Sequence, residues 1–558
     1  MKVADVVPGL AAARTYEKRW LRSDLVAGLV LAAILIPQGM AYAELAGLPS
    51  VTGLYTTVAC LVGYAIFGPS RVLVLGPDSS VSPLIFAAIT PLLVVDDPTS
   101  AIVLAGMLAV IVGLVEIGMG LGKLGFVADL LSSEVQVGYM NGLAITIIVG
   151  QLPKLFGFSV DADTFWDDLT QFVEHFDERV TEAAAIGIVA LAILVVMPRL
   201  TTKVPAVLVA VVGATVVSAV LGLADDGVKT VGVLPAGVPA PSVPFTQVAD
   251  VIPLFVASIG ITLVSITDTI ATSSAFAARR GDEVKPNQEM VGIGASNIFA
   301  GCFGGFAIST SSSRTAVAEQ SGAKSQLTGL IGAAVVLAML LFLNGLLAPL
   351  PQSALAAVVI AAALSLLDLA SLRRYLQVRR SAFVLSMVAA IGVILLGVLQ
   401  GIVLAILLAV LLFFRRSWWP HGAVLGHVDE LGGWHDVATN DGAVERDGIV
   451  VYRWEAALFF ANAGAFRDQI RTLARTRSPR WIVVQCEAIT DIDVTAAGLL
   501  EQLDRELNDE GIHLAFVEMR RRLQDLVLRY GLFETLDRDH FYPSIEAALR
   551  AIDVEEST

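Results

Sequence analysis

Residues 101–119, 183–197 and 392–414 are apolar runs close to or longer than the ~20 residues an α-helix needs to cross a ~30 Å hydrocarbon core. Charged residues make up 16% of the 558-residue chain, against roughly a quarter in soluble domains. Mean hydropathy is +0.74. These features exclude an ordinary soluble enzyme and predict a polytopic membrane protein. Fourteen spans are expected, near residues 25–45, 50–67, 78–94, 100–120, 124–152, 183–197, 203–222, 251–275, 288–303, 308–320, 326–347, 351–371, 382–397 and 399–416. The basic N-terminal stretch runs into Pro37-Gln38 without a small-residue cleavage site, so no removable signal peptide is expected.

Basic residues sort to one side of this layout: the N-terminus, Lys123, Arg199 with Lys203, Arg279-Arg280 with Lys285, Lys324, Arg373-Arg374 with Arg379-Arg380, and Arg415-Arg416. The positive-inside rule places those loops, and with an even span count both termini, in the cytoplasm of a plasma (inner) membrane protein. The opposite loops are acidic or neutral, with Asp161, Asp163, Asp167, Asp168 and Asp225-Asp226. Most of the −15 net charge lies in the tail, where residues 421–558 hold 25 Asp and Glu against 14 Arg, about −11. An acidic tail argues against nucleic acid as a partner. The expected division is a cytoplasmic N-terminus over 1–24, a transmembrane domain over 25–420, a linker over 421–439 and a soluble domain over 440–558. Cys60, Cys302 and Cys486 are scattered, in no metal-ligand or disulfide pattern.

Two halves of the transmembrane part look alike. In the first, a Pro-interrupted span holding Pro37, Gln38 and Tyr42 is followed about 40 residues later by Gly76-Pro77-Asp78-Ser79-Ser80, which reads as a helix start. In the second, a span holding Asp268, Thr269 and Thr272 is followed at similar spacing by Gly304-Gly305 and then Ser309-Thr310-Ser311-Ser312-Ser313-Arg314. Matching interrupted segments in two halves point to the midplane site of an inverted-repeat transporter. Two helix N-termini facing one point offer free N–H groups and two positive dipole ends, which favour an anion. The hydroxyls of Ser79, Ser80, Thr310, Ser311, Ser312 and Ser313 are further donors, and Arg314 a fixed positive charge. The competing reading for such serines is close helix packing. Asp268 inside an apolar span costs ~2.5–3.5 kcal/mol on insertion scales. It either binds sodium with Thr269 and Thr272, takes a proton, or pairs with Arg314 as a structural bridge. Gln38 offers amide donors to the same cavity. Glu116 and Glu134 read as packing or interface residues near segment ends.

The stretch Pro37-Gln38-Gly39-Met40-Ala41-Tyr42-Ala43, with Ala46-Gly47-Leu48-Pro49, Gly53-Leu54-Tyr55, Gly68-Pro69-Ser70-Arg71 and Gly76-Pro77, resembles the signature of the SulP family, the sulfate permease and prestin/pendrin group of anion transporters. The resemblance covers essentially the whole chain. It implies a fourteen-span, seven-plus-seven inverted repeat with core and gate domains moving as an elevator, and an anion held between the third and tenth spans, starting here at Ser79 and Ser311. The family's polar position on span one falls on Gln38, its third-span start on Asp78, Ser79 and Ser80, and its tenth-span Ser-x-Ser-Arg on Ser311, Ser313 and Arg314. In the bacterial bicarbonate branch an Asp and a Thr four residues on hold sodium, the spacing of Asp268 and Thr272. That branch is richer in Gly and Ala where this chain has serines.

The tail reads as alternating strand and helix. Residues 449–454 and 458–460 read as a hairpin, 465–476 as a helix, 481–485 as a strand, 495–507 as a helix and 513–517 as a strand. It resembles the STAS domain through Phe459-Phe460-Ala461-Asn462-Ala463 and Asp491-Ile492-Asp493-Val494-Thr495-Ala496-Ala497-Gly498. Signalling members carry a phosphorylated Ser after the Asp at 493, where Val494 stands here. A regulatory or dimerising domain, open to a cytoplasmic regulator, is the implication.

No Gly-x-x-x-x-Gly-Lys-Ser/Thr loop is present, and His421, His427 and His435 lack metal-ligand spacing. The expectation is therefore not an enzyme. It is a secondary active transporter of a small inorganic oxyanion, sulfate or bicarbonate, coupled to Na⁺ or H⁺ and otherwise without cofactor, surrounded by lipid and forming a homodimer. C4-dicarboxylate or other anion exchange is the neighbouring alternative. A nucleobase symporter of the same fold and a membrane-tethered signalling scaffold are the alternatives from other classes.

Overall fold

The computed structural model describes the chain except residues 1–6, 95–98, 127–131, 161, 163, 202–203, 533–535, 537 and 557–558. Asp161, Asp163 and Lys203 of the loop-charge pattern lie outside the described residues. Two compact units emerge, 1–409 and 410–558.

The first unit is helical: α1 (Leu21–Leu45), α2 (Ser50–Phe67), α3 (Ser82–Ile89), α4 (Ser100–Leu121), α5 (Ser133–Leu155), α6 (Thr181–Leu200), α7 (Ala206–Leu221), α8 (Val248–Arg280), α9 (Pro286–Cys302), α10 (Ser312–Gln320), α11 (Leu327–Phe342), α12 (Gln352–Leu366), α13 (Arg380–Leu396) and the first part of α14 (Val398–Trp418), whose residues from 410 on belong to the second unit. Each expected span overlaps one of these helices, in most cases with bounds that differ by a few residues or more. Among the described residues seven of these helices, and the stretch Gln352–Val378 taken as one, are long and apolar enough to cross a membrane alone, and four apolar ones are shorter. The α3 and α10 helices, at 8 and 9 residues, are half-spans.

The first expected span is not interrupted. α1 runs through Pro37 as one helix, since a proline removes one hydrogen bond and packing against α2 and α11 supports the rest. The real breaks come later, where two-residue strands β1 (Leu75–Gly76) and β2 (Ser309–Thr310) precede α3 and α10. The span expected over 351–371 also ends early. α12 stops at Leu366, and Asp368 caps a separate helix, Leu369–Val378, by accepting the Ser371 N–H at 2.9 Å.

Small residues set how closely the helices meet. A Cβ on Gly113 of α4 would lie 2.4 Å from the Gly294 carbonyl oxygen of α9, and one on Gly138 of α5 would lie 2.1 Å from the Ser386 oxygen of α13. Backbone-to-backbone contact of this kind is how helices associate where lipid gives no hydrophobic drive. Two groups of helices result. α4, α2, α9, α11, α1 and α8 pack together, while α5, α13, α12, α6 and α7 pack among themselves.

The second unit holds a six-stranded sheet in the order β4-β3-β5-β6-β7-β8, from β3 (Gly422–His427), β4 (Trp434–Asp436), β5 (Ile449–Trp454), β6 (Trp481–Gln485), β7 (His513–Val517) and β8 (Phe541–Tyr542). The run β5 to β8 is parallel, while β3 is antiparallel to β5 and β4 to β3. One face packs on α15 (Ala463–Arg477), α16 (Val494–Asp509) and α17 (Arg521–Arg529), the other on α18 (Ile545–Glu556). Burial on both faces explains the apolar runs 449–452 of β5 and 481–484 of β6. Two expectations fail here. Residues 422–427, read as linker, form an interior strand, because Val424 and Leu425 pair with Tyr452 and Val451. The hairpin expected at 449–460 is absent, since β5's antiparallel neighbour is β3 and Leu458 instead forms a single parallel bridge to Ile492.

Candidate functional site

β1 and β2 pair antiparallel, Leu75 opposite Thr310 and Gly76 opposite Ser309, and the Ser311 N–H extends the pairing to the Val74 carbonyl at 3.1 Å. This ladder brings the starts of α3 and α10 together. Around Asp78 the chain already turns as a helix. The N–H groups of Val81 and Ser82 reach the Asp78 carbonyl, and the Ser80 N–H reaches Asp78 Oδ1 at 3.1 Å. Regular α-helix begins at Ser82 and Ser312, slightly beyond the starts at Ser79 and Ser311 that the resemblance implies. Ser311 is the N-cap of α10, its Oγ accepting the Arg314 N–H at 3.5 Å. By helix geometry the N–H groups of Ser312 and Ser313 have no intrahelical partner.

A cavity of about 880 Å³ opens at these helix starts. Gln38, Tyr42, Asp78, Ser79, Ser80, Asp268, Thr272 and Thr310 to Arg314 all line it. Its far wall comes from the second helix group, through Gln136 and Met140 of α5, Pro198 of α6 and Val358 and Ser365 of α12. No polar residue of that wall was singled out from the sequence. Gln136 and Ser365 sit in segments with no break or motif, and only the packing reveals that they face the cavity.

Of the roles left open for Asp268, the bridge to Arg314 is not the one formed. Arg314 pairs with Asp78, Nη2 to Oδ2 at 3.5 Å, and not with Asp268. Its side chain is wholly buried, and no guanidinium nitrogen makes a hydrogen bond among the described residues. Gly76 makes the room: a Cβ there would lie 3.1 Å from Arg314 Nη1. Asp268 Oδ2 instead accepts from Ser80 Oγ at 2.9 Å. Thr272 Oγ1 lies 2.6 Å from Ser312 Oγ, tying α8 to the α10 start. Thr269 is not on the cavity. It is buried, donating to the Ser265 carbonyl at 2.7 Å and meeting Thr310 Oγ1 at 2.8 Å. Gln38 Oε1 has no hydrogen-bond partner among the described residues, and the Tyr42 hydroxyl faces Ser79.

For a cation, Asp268 and Thr272 supply oxygen donors one helical turn apart, the donor type a hard ion takes. Asp268 Oδ2 is already engaged by the Ser80 hydroxyl and Thr272 Oγ1 by that of Ser312. Among the described residues no group of three or more His, Cys, Asp or Glu has metal-binding geometry.

Glu116, read as a packing residue near a segment end, is fully buried and organises the site from behind. It accepts from Ser265 Oγ at 2.9 Å and from Asn297 Nδ2 at 2.8 Å. Asn297 Oδ1 in turn accepts the Ile308 N–H at 2.8 Å, immediately before β2. The signal was present in the sequence as a carboxylate and an amide within apolar helices, each costly unless paired.

Residues 21–391 match the Sulfate permease family and residues 442–548 the STAS domain. The chain belongs to the sulfate permease family, a family of anion transporters and not of enzymes. It is 39% identical over 554 residues to a probable sulfate transporter of Mycobacterium tuberculosis (strain H37Rv), an alignment covering 99% of both chains. To human solute carrier family 26 member 6 it is 32% identical over 476 residues, covering 81% of this chain and 62% of that one. The fold is shared with murine solute carrier 26 family member A9, an anion transporter in the inward-facing state, at a TM-score of 0.91 and 22% identity over 99% of this chain and 94% of that one. The transmembrane domain of the cyanobacterial bicarbonate transporter BicA matches at a TM-score of 0.62 and 25% identity over 71% and 98%. The fold is thus that of a multi-pass helical membrane transporter with a C-terminal STAS domain.

Proposed function

We propose that this chain carries a small inorganic oxyanion, sulfate first and bicarbonate second, across the plasma membrane as a secondary active, Na⁺- or H⁺-coupled transporter. The observation that carries the reading is the β1–β2 ladder, which aims the starts of α3 and α10, with their unpaired N–H groups and dipole ends, at one cavity beside a buried Arg314. The hydroxyls of Ser79, Ser311, Ser312 and Ser313 supply neutral donors to an oxyanion's several acceptors. Support for sulfate comes from the relatives named as probable sulfate transporters, and for bicarbonate from the likeness to BicA.

The cavity lies between two groups of helices that pack mainly within themselves, an arrangement suited to an elevator movement of one group against the other. Basic loops favour cytoplasmic termini. A homodimer, with the STAS domain as a regulatory module, completes the reading. Proteoliposome flux of radiolabelled sulfate and bicarbonate, with sodium and pH gradients imposed separately, tests it. Saturable flux driven by one gradient is expected, and no anion-dependent flux in any condition overturns it.

A further inference from the structure

The helix Leu369–Val378 joins α12 to α13 and packs on α5 and α13. At about 100° per residue its positions fall on three sides. Ser371, Leu372 and Tyr375 are half-buried and form the side turned to the protein. Leu369 and Leu376, seven residues apart, share the next side and are 65% and 50% exposed. The third side holds Arg373, which borders the leucines, then Gln377 and Arg374, all exposed. Arg379 and Arg380 follow directly and are exposed as well, Arg380 opening α13. None of the four guanidinium groups has a hydrogen bond or an ion pair among the described residues.

The exposed leucines and the unpaired arginines together select one kind of partner. A helix held between the apolar helices α12 and α13 at their basic ends lies at headgroup depth, where leucines meet acyl chains and guanidinium groups meet phosphates. An acidic protein segment would satisfy the arginines but leave Leu369 and Leu376 without an apolar neighbour. The corresponding connection in the first half sharpens the point. Phe165–Glu174 joins α5 to α6 and likewise exposes two apolar residues seven apart, Trp166 and Val173, yet it carries Asp167, Asp168 and Glu174 and no basic residue. A helix in this place therefore does not need arginine in order to fold, and the basic charge is specific to one membrane face.

We propose that Leu369–Arg380 is a binding site for an anionic phospholipid, with acyl chains along Leu369 and Leu376 and the headgroup phosphate drawn to Arg373, Arg374, Arg379 and Arg380. None of these residues lines the anion cavity. The proposal uses the transport reading above only to call this face cytoplasmic. Because the helix packs on α5 and α13, a bound lipid holds the second helix group, and not the first, to its leaflet.

The full chain in detergent micelles tests this by titration with phosphatidylglycerol and with phosphatidylcholine of the same acyl chains. Each arginine near an anionic surface strengthens binding by about fivefold. Phosphatidylglycerol is therefore expected to bind at least about tenfold more tightly, a preference that shrinks as sodium chloride rises from about 50 to about 500 mM. The combined variant R373Q, R374Q, R379Q and R380Q should bring phosphatidylglycerol down to the phosphatidylcholine level. On the wild-type protein, a phosphatidylglycerol analogue with a photoreactive acyl chain should label the segment around Leu369 and Leu376. Equal binding of the two lipids overturns the proposal, including the case in which the acidic tail of this chain already covers the arginines. So does a folded variant that keeps the preference, or displacement of the anionic lipid by an equal concentration of inorganic phosphate, which would mark a site for a soluble anion. Labelling confined to other segments also overturns it, and this arm decides the point if the variant does not fold. Lipid binding is read without flux, so its failure leaves the transport reading standing, and a protein without anion flux leaves the lipid result standing.

Discussion

Leu75 and Thr310, from opposite halves of the transmembrane unit, face each other across a ladder only two residues long on each strand. Such a ladder is too short to stand alone. It persists because the helices behind it hold both strands. Thr315 Oγ1 accepts the Val74 N–H at 3.1 Å, and Asn297 and Thr56 accept the N–H groups of Ile308 and Phe306. The position of the two helix starts is therefore a property of the packed core.

Replacing Gly76 by Val puts branched carbons where Arg314 Nη1 lies, 3.1 Å from an ideal Cβ. The guanidinium must move from Asp78, and breaking a buried ion pair costs about 3–5 kcal/mol. Gly76→Val is expected to give a protein that melts at lower temperature and shows at least a tenfold rise in the KM for sulfate, read by proteoliposome flux.

Asn297→Ala removes the donor to Glu116 and the acceptor of the Ile308 N–H together. Each buried group left unsatisfied costs about 1–3 kcal/mol. The apparent melting temperature in detergent should fall by several degrees, and anion affinity should fall with it because β2 loses its anchor. An unchanged melting curve would show that Glu116 and Ile308 find other partners.

Asp168, on the helix Phe165–Glu174 between α5 and α6, has its carboxyl pushed up to about 6 by burial and by the charge of Asp167. Its folded pKa lies above the ordinary carboxylate value, so the fold binds more protons than the unfolded chain between about pH 4 and pH 6. The contribution of Asp168 to stability is greatest below that window and is lost as pH rises through about 6. Asp168→Asn should narrow the difference in melting temperature between pH 5 and pH 7.5, measured on the purified full chain.

In the STAS domain Asp493 caps α16 by accepting the Ala496 N–H at 2.8 Å, while its other oxygen accepts the Phe460 N–H at 2.8 Å. Losing an N-cap costs about 0.5–2 kcal/mol. Asp493→Ala should lower the urea midpoint of the 421–558 segment, which has a core on each face of its sheet, and should speed proteolysis near Phe460. A midpoint equal to wild type would mean that water replaces the cap without cost.

Much of this was legible from side-chain type alone. Apolar runs declare helices because a membrane leaves backbone groups no other partner. The strands at 481–485 and 513–517 declare themselves by the apolar runs 481–484 and 514–517, all buried in the fold. Other features escaped for particular reasons. Val424 and Leu425 sit in a stretch rich in glycine and charge, and its strand exists because β5 offers a free edge. Glu116 reads as a packing residue until Ser265 and Asn297, from two other helices, are seen to converge on it. Asp268 and Arg314 look like natural partners by charge, yet the ladder carries Asp78 to the guanidinium first.

By itself the sequence determined that this chain crosses a membrane many times, carries an acidic α/β tail, and concentrates hydroxyls and one Arg at two helix starts. Those properties follow from residue chemistry and local spacing. Only the tertiary structure decided which carboxylate neutralises Arg314, which hydroxyl joins Asp78 to Asp268, and which helices wall the cavity. The physical reason is that electrostatic pairing in a low-dielectric interior depends on separations of a few ångströms. Residues far apart in the chain reach those separations through the packing of whole helices.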